Sequence, residues 1–172
     1  MAFRFVTLLA LLALAGCAAL PAPMEELGPP LSEFAASGRL SLRQGDRSDH
    51  LQFDWRHRPD FDAVVFSTPL GQGLAELGRD GNQAWLRRNG EAEVLAPDWR
   101  QLTQKLLGAP VPLDVLAAWL GGGRPCMAGE EAGWRIAVIE VESYLGHRLP
   151  RLIEIRGGNV ELRIVVTERG QP

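Results

Sequence analysis

The chain has 172 residues, 46% of them hydrophobic, with 18 Lys+Arg against 21 Asp+Glu and a formal net charge of −3. That length suits one domain with a substantial core, and the mild negative charge excludes nucleic-acid binding through a clustered basic surface. Beyond the first 16 residues no stretch approaches the roughly 18 continuous apolar residues of a membrane-spanning helix.

The first element in chain order is a leader. Arg4 supplies a positive start, Phe5 to Ala13 is apolar but too short to span a bilayer, and small Ala15 and Gly16 precede Cys17. Leu14-Ala15-Gly16-Cys17 has the form of a bacterial lipobox. At such a site the cysteine is diacylated, the peptide is cut before it and the new amine is acylated. The competing reading is an ordinary secretory signal with an incidental cysteine. Residues 1–16 are therefore expected to be a signal peptide, and residues 17–30 a lipidated tether rich in proline (Pro21, Pro23, Pro29, Pro30). At about 3 Å per residue, such an extended tether holds the body some tens of ångströms from the bilayer. Residues 31–172 are expected to form a single domain.

A short helix is expected around Leu31 to Ala36, and strand signals then dominate. Gly38 to Arg43 and Asp49 to Arg56 alternate, the second with Leu51, Phe53 and Trp55 on one face. Asp62 to Thr68 contains Ala63-Val64-Val65-Phe66, apolar on both sides. Gly73 to Leu77, Gln83 to Arg87 and Glu91 to Leu95 follow, separated by the turn signals Asp80-Gly81-Asn82 and Asn89-Gly90. After Pro97 the period changes. Asp98 is placed to cap a helix over Trp99 to Leu107 that stops at Gly108, and a second helix covers Leu113 to Leu120. Strands return at Trp134 to Val141, Arg148 to Arg156 and Asn159 to Thr167, the last two joined at Gly157-Gly158. This order describes an α+β domain on an antiparallel sheet with helices on one face. Whether the sheet closes or curves around a cavity stays open at this level.

Chemistry-bearing groups are dispersed. His50, His57 and His147 lack metal-ligand spacing, and the first two fall on opposite faces of one strand. Gly71-Gln72-Gly73 leads into a strand, so it lacks the helix N-terminus of a phosphate loop. Glu25-Glu26 and Glu130-Glu131 read as solvated pairs. If Cys17 carries lipid, Cys126 has no disulfide partner, and in its Gly-rich loop it reads as a buried or incidental thiol. No catalytic group, metal site or cofactor is assigned. The segment that stands out is Ser67 to Gly73, where Pro69 stiffens the approach, Gly71 frees the exit and Leu70 sits at the tip. Such a tip either folds back onto the body or forms a wedge for an apolar surface.

Several motifs then coincide in order: the lipobox, the proline tether, Gly38-Arg39-Leu40, Phe53-Asp54-Trp55 and Pro69-Leu70-Gly71. They are followed by Leu107-Gly108 with Val111-Pro112-Leu113, by Trp119-Leu120-Gly121-Gly122, and by Leu149-Pro150 before the terminal hairpin. Over essentially the whole mature domain this pattern resembles the LolB family. Its members are outer-membrane lipoproteins that accept other lipoproteins from the periplasmic carrier LolA and insert them into the outer membrane. The resemblance implies a strongly curved, incomplete antiparallel β-barrel whose helices cover an apolar cavity for acyl chains. It also implies a membrane-inserting loop at Pro69, Leu70 and Gly71, with Leu70 as its functional leucine. Ala18, following Cys17, fits sorting to the outer membrane of a Gram-negative bacterium, where the protein would face the periplasm.

Leu51, Phe53, Trp55, Val65 and Trp119 are the candidate cavity residues, although an ordinary core uses the same types. The expected partners are a LolA-like carrier, acylated cargo and outer-membrane lipid, met by a monomer without nucleotide or cofactor. The other class of reading is a scaffolding lipoprotein that handles no acyl chains. Two departures from the family stand out: no tryptophan follows Val165, and the segment between Trp119 and Trp134 is glycine-rich.

Overall fold

Strands that alternate apolar and polar side chains bury one face by packing it on another layer or by curving round a shared core, and this sheet does both. The computed structural model describes residues 30–124 and 127–171. Within them lie β1 (Phe34–Gln44), β2 (Arg47–Arg58), β3 (Phe61–Ser67), β4 (Gly73–Asp80), β5 (Gln83–Arg87) and β6 (Val94–Ala96). Then come α1 (Trp99–Leu107), α2 (Leu113–Leu120), β7 (Ala128–Glu131), β8 (Trp134–Tyr144), β9 (His147–Gly157) and β10 (Val160–Gly170). The strands form one antiparallel sheet in the order β6-β5-β4-β3-β2-β1-β10-β9-β8-β7. Its short edge strands, β6 and β7, are not paired with each other, so the barrel stays open along one seam. Leu77 and Leu86 from one half and Ile136 and Ile153 from the other share a single core with α1 and α2.

Both helices occupy the expected spans, because their punctuation is local. The Asp98 carboxylate accepts the Gln101 N–H at 2.9 Å, and Gly108 closes α1 with φ 71°. The helix expected over Leu31 to Ala36 does not form. Phe34 to Ala36 instead opens β1, paired with His57 to Trp55 on one side and, from Ala35, with β10 on the other. A pairing partner many residues away outweighs the local helical pattern, and it buries Phe34 edge-on against Trp55, 5.8 Å between ring centroids. β7 has no counterpart among the expected strands; four residues of Ala-Gly-Glu-Glu carry no apolar alternation. The end of β10 is held by Arg169. Its buried guanidinium donates to Glu142 and to the carbonyls of Leu120 and Pro150. The signal peptide, Cys17, Ala18 and the tether up to residue 29 lie outside the described residues, as does Cys126.

Gly38 marks a close approach of two backbones. The β1–β10 register shifts between Ser37 and Gly38, and a Cβ built on Gly38 falls 2.0 Å from the Val165 carbonyl oxygen. Neither backbone can yield without breaking the ladder. Gly38→Ala is therefore expected to destabilise the domain by about 2–3 kcal/mol and to lower its Tm by roughly 5–10 °C. Thermal denaturation followed by circular dichroism checks this; an unchanged Tm would show that the bulge relaxes freely.

Candidate functional site

Between the inner face of the sheet and the helix pair lies a gap of about 30 Å³. That is room for one or two water-sized guests. Leu40, Phe53, Trp55, Val64, Phe66 and Ile164 bound it from the strands, with Leu162 beside them. Leu107 from α1, Val111 from the connector, and Leu113 and Leu116 from α2 form its roof. No polar side chain lines it.

Of the candidate cavity residues, Phe53 and Trp55 line the gap. Leu51 shares their face of β2 and packs on the core without bounding it. Val65 is corrected: it stands on the outer face of β3, and Val64 and Phe66 face inward opposite Trp55 and Phe53. The doubly apolar run hid that parity, because the third inward position of β3 is an aspartate, Asp62. Trp119 is also displaced from the gap. It is fully buried, but its indole packs over Gly129 of β7, and Nε1 lies 3.4 Å from Glu131 Oε2. Glu131 in turn takes a two-pronged hydrogen bond from Arg124. That bond, ahead of the opposing cost of burial, holds its carboxyl below the usual range. Glu131 is a part-exposed glutamate with fixed partners: with Trp119 it ties α2 to one edge of the open seam, while α1 contacts the other edge at β6.

Asp62 anchors the wall of the gap. Burial alone would raise its pKa, but hydrogen bonds from His57, Trp55 and Arg79 outweigh that and lower it. Trp55 Nε1 donates to Oδ1 at 3.0 Å, and His57 Nδ1 lies 2.7 Å from the same oxygen. Arg79 donates to Oδ2 from two nitrogens, at 3.1 and 2.7 Å, and also to the Pro59 carbonyl. One carboxylate thereby joins β2, β3 and β4 and fixes the indole of Trp55. His50, on the opposite face of β2, bonds Ser41 outside the barrel.

The β3–β4 loop is a tight, stapled turn. The Gly71 N–H donates to the Thr68 carbonyl at 2.9 Å, as in a β-turn with Pro69 and Leu70 at its centre. Gly71 has φ +83°, a conformation that favours glycine. The Thr68 N–H donates to the Gln72 carbonyl at 2.8 Å, and the Gln72 N–H returns to the Thr68 hydroxyl at 3.1 Å. From β2, the Gln52 side chain donates to the Pro69 carbonyl at 3.1 Å. Leu70 is left 97% exposed, so of the two readings of the tip, folding back onto the body does not occur.

A family model described as outer membrane lipoprotein LolB matches residues 32–168. The outer-membrane lipoprotein LolB of Neisseria meningitidis serogroup A is 30% identical over 176 residues, spanning 94% of this chain and 88% of that protein. Its counterpart in Chromobacterium violaceum is 34% identical over 176 residues, spanning 95% and 97%. Among solved structures, a LolA-superfamily protein from Nitrosomonas europaea superimposes with a TM-score of 0.57 at 9% identity, covering 84% of this chain and 88% of that one. At that identity the likeness concerns the fold alone.

Proposed function

The chain belongs to the LolB family of outer-membrane lipoproteins, and on that footing we propose that it accepts acylated lipoproteins from a LolA-like periplasmic carrier and delivers them into the outer membrane. The observation that carries this reading is the wholly apolar gap between sheet and helices. A lipoprotein crossing water exposes its acyl chains at a cost of about 0.8 kcal/mol per CH₂, tens of kcal/mol in all. An apolar cleft removes most of that cost. Transfer between two such clefts, and from cleft to bilayer, is then close to isoenergetic and runs without nucleotide.

The gap of about 30 Å³ is far smaller than an acyl chain. Loading therefore requires Leu107, Val111, Leu113 and Leu116 to move off the sheet. The seam favours this: the helices meet short edge strands there, and Pro110 and Pro112 join them without backbone donors. On this reading acylated Cys17 holds the domain at its target membrane, Ala18 permits outer-membrane sorting, and Leu70 of the Pro69-Leu70-Gly71 turn enters the bilayer to open the exit path. The protein acts as a monomer and performs no catalysis. The scaffolding alternative is not favoured by the relatives, all of them LolB proteins.

A soluble form with Cys17→Ala, mixed with a carrier loaded with radiolabelled lipoprotein, tests the proposal. Cargo is expected to move to the soluble form without nucleotide. Cargo that stays on the carrier would favour the scaffold.

A further inference from the structure

Outward positions of a half-buried antiparallel sheet are ordinarily polar, and one side of this barrel follows the rule. On β1, β9 and β10 they carry Arg43, Glu161 and Arg156 in one cross-strand row and Arg163 and Glu154 in the next. The side built from β3 to β6 departs from it in one row, beside a row that carries Glu76 and Arg87. Ala63, Gly78, Trp85 and Leu95 are paired in a single row across the four strands. Trp85 lies flat on Gly78, where a Cβ would fall 1.8 Å from its ring, and the Arg87 guanidinium sits 4.0 Å from the ring centroid. Nearer the Leu70 turn, Val65 (39% exposed) and Leu74 (40%) line one shallow groove with Glu76 and Arg87, and Leu95 (53%) is exposed at the β6 end of the Trp85 row. Of the six large hydrophobics exposed among the described residues, four belong to this side and its loop.

We infer that the outer face of β3–β6, with Val65, Leu74, Trp85 and Leu95, is a second membrane contact that lays the domain sideways on the phospholipid surface once Leu70 is inserted. This rests on Leu70 entering the bilayer. The stapled turn transmits the position of Leu70 to its neighbours. Leu74 is four residues on, at most about 13 Å of extended chain. A tip reaching about 5–10 Å into the interface therefore brings Leu74 and Val65 to the headgroups. The arginines of the face are paired with acids: Arg87 bonds Glu93 at 2.5 Å and lies 3.9 Å from Glu76, and Arg88 lies 3.3 Å from Glu91. Attachment through it is accordingly apolar, with an aromatic ring and arginine stem suited to the interface, rather than an attraction to anionic lipid. That choice of occupant separates a bilayer from a charged protein partner.

The test uses the full mature chain with Cys17→Ala, so that no acyl anchor masks binding by the domain. Flotation with phosphatidylethanolamine–phosphatidylglycerol vesicles is compared for the parent, Leu70→Glu, Val65→Glu/Leu74→Glu, the milder Leu74→Ser, and Ile139→Glu. Ile139, 49% exposed on β8, is the matched control away from the face. The double variant is expected to lose at least about fivefold of the vesicle-bound fraction, Leu74→Ser part of it, and Ile139→Glu none. Binding of the parent is expected to persist at high salt, and cargo uptake from the carrier to stay unchanged in all variants. If the Val65/Leu74 variants float like the parent while Leu70→Glu does not, the second contact is overturned and the wedge stands. If Leu70→Glu also floats like the parent, the wedge itself fails. Loss of cargo uptake in place of flotation would assign the face to the carrier and overturn its assignment to lipid.

Discussion

Leu70→Glu is expected to reduce cargo insertion into liposomes by at least about tenfold while thermal stability and acyl loading stay at the parent level. The side chain is 97% exposed, so the substitution removes no packing in the folded protein. Surface changes of this kind stay within about 0.5 kcal/mol. The turn does not depend on it either, because the staples run through Thr68, Gln72, Gln52 and Gly71. The apolar gap lies inside the barrel and excludes Leu70 from its lining. What changes is transfer to lipid: leucine enters a bilayer favourably, and a carboxylate there costs about 2.5–3.5 kcal/mol at full depth and less at the interface. Even half of that difference is about tenfold in the inserted population. Leu70→Met should behave like the parent. The measurement is protease protection of labelled cargo on liposomes after mixing with a loaded carrier. Insertion by Leu70→Glu at the parent rate would remove the turn from the mechanism.

The contrast between what was legible in the chain and what was not follows from where each determinant lies. α1 and α2 were readable to the residue because Asp98, Gly108 and Pro112 act within one turn of the helix they bound. The β2 face was readable from Phe53 and Trp55 because a period of two needs no partner. The start of β1 was not, since residues 34–36 become a strand only through His57 and Gly170, far away in sequence. Val65 and Val64 could be told apart only by register against β2, and the polar Asp62 on the inward face pointed the wrong way. Glu131 looks like a surface residue until Arg124 and Trp119 fold onto it. As for Leu70, proline and glycine announced a turn, but its exposure is a tertiary fact.

Asp62→Asn is expected to be the most destabilising single-atom-type change in the domain. Its carboxylate is the shared acceptor for Trp55, His57 and Arg79, and at 2% exposure water cannot replace it. An amide presents two donors toward Arg79, which has only donors to offer. Removing one member of a buried ion pair costs about 3–5 kcal/mol. The Arg79 side chain is a quarter exposed and can rehydrate in part, so a loss of about 2–3 kcal/mol is expected, or roughly 5–10 °C in Tm for a domain of this size. The pH dependence separates this from a simple packing defect. The folded-state pKa of Asp62 is depressed. Its contribution is therefore fully present above the unfolded value of roughly 3.9 and drains away as the pH falls through the lower folded value. The stability gap between parent and variant should therefore close as the pH falls below about 4. Because Asp62 also holds the indole that walls the gap, the variant should show altered tryptophan emission and slower acyl loading at temperatures where it remains folded. A gap that widens below about pH 4, or an unchanged Tm, would mean that the carboxylate is not what holds these donors together.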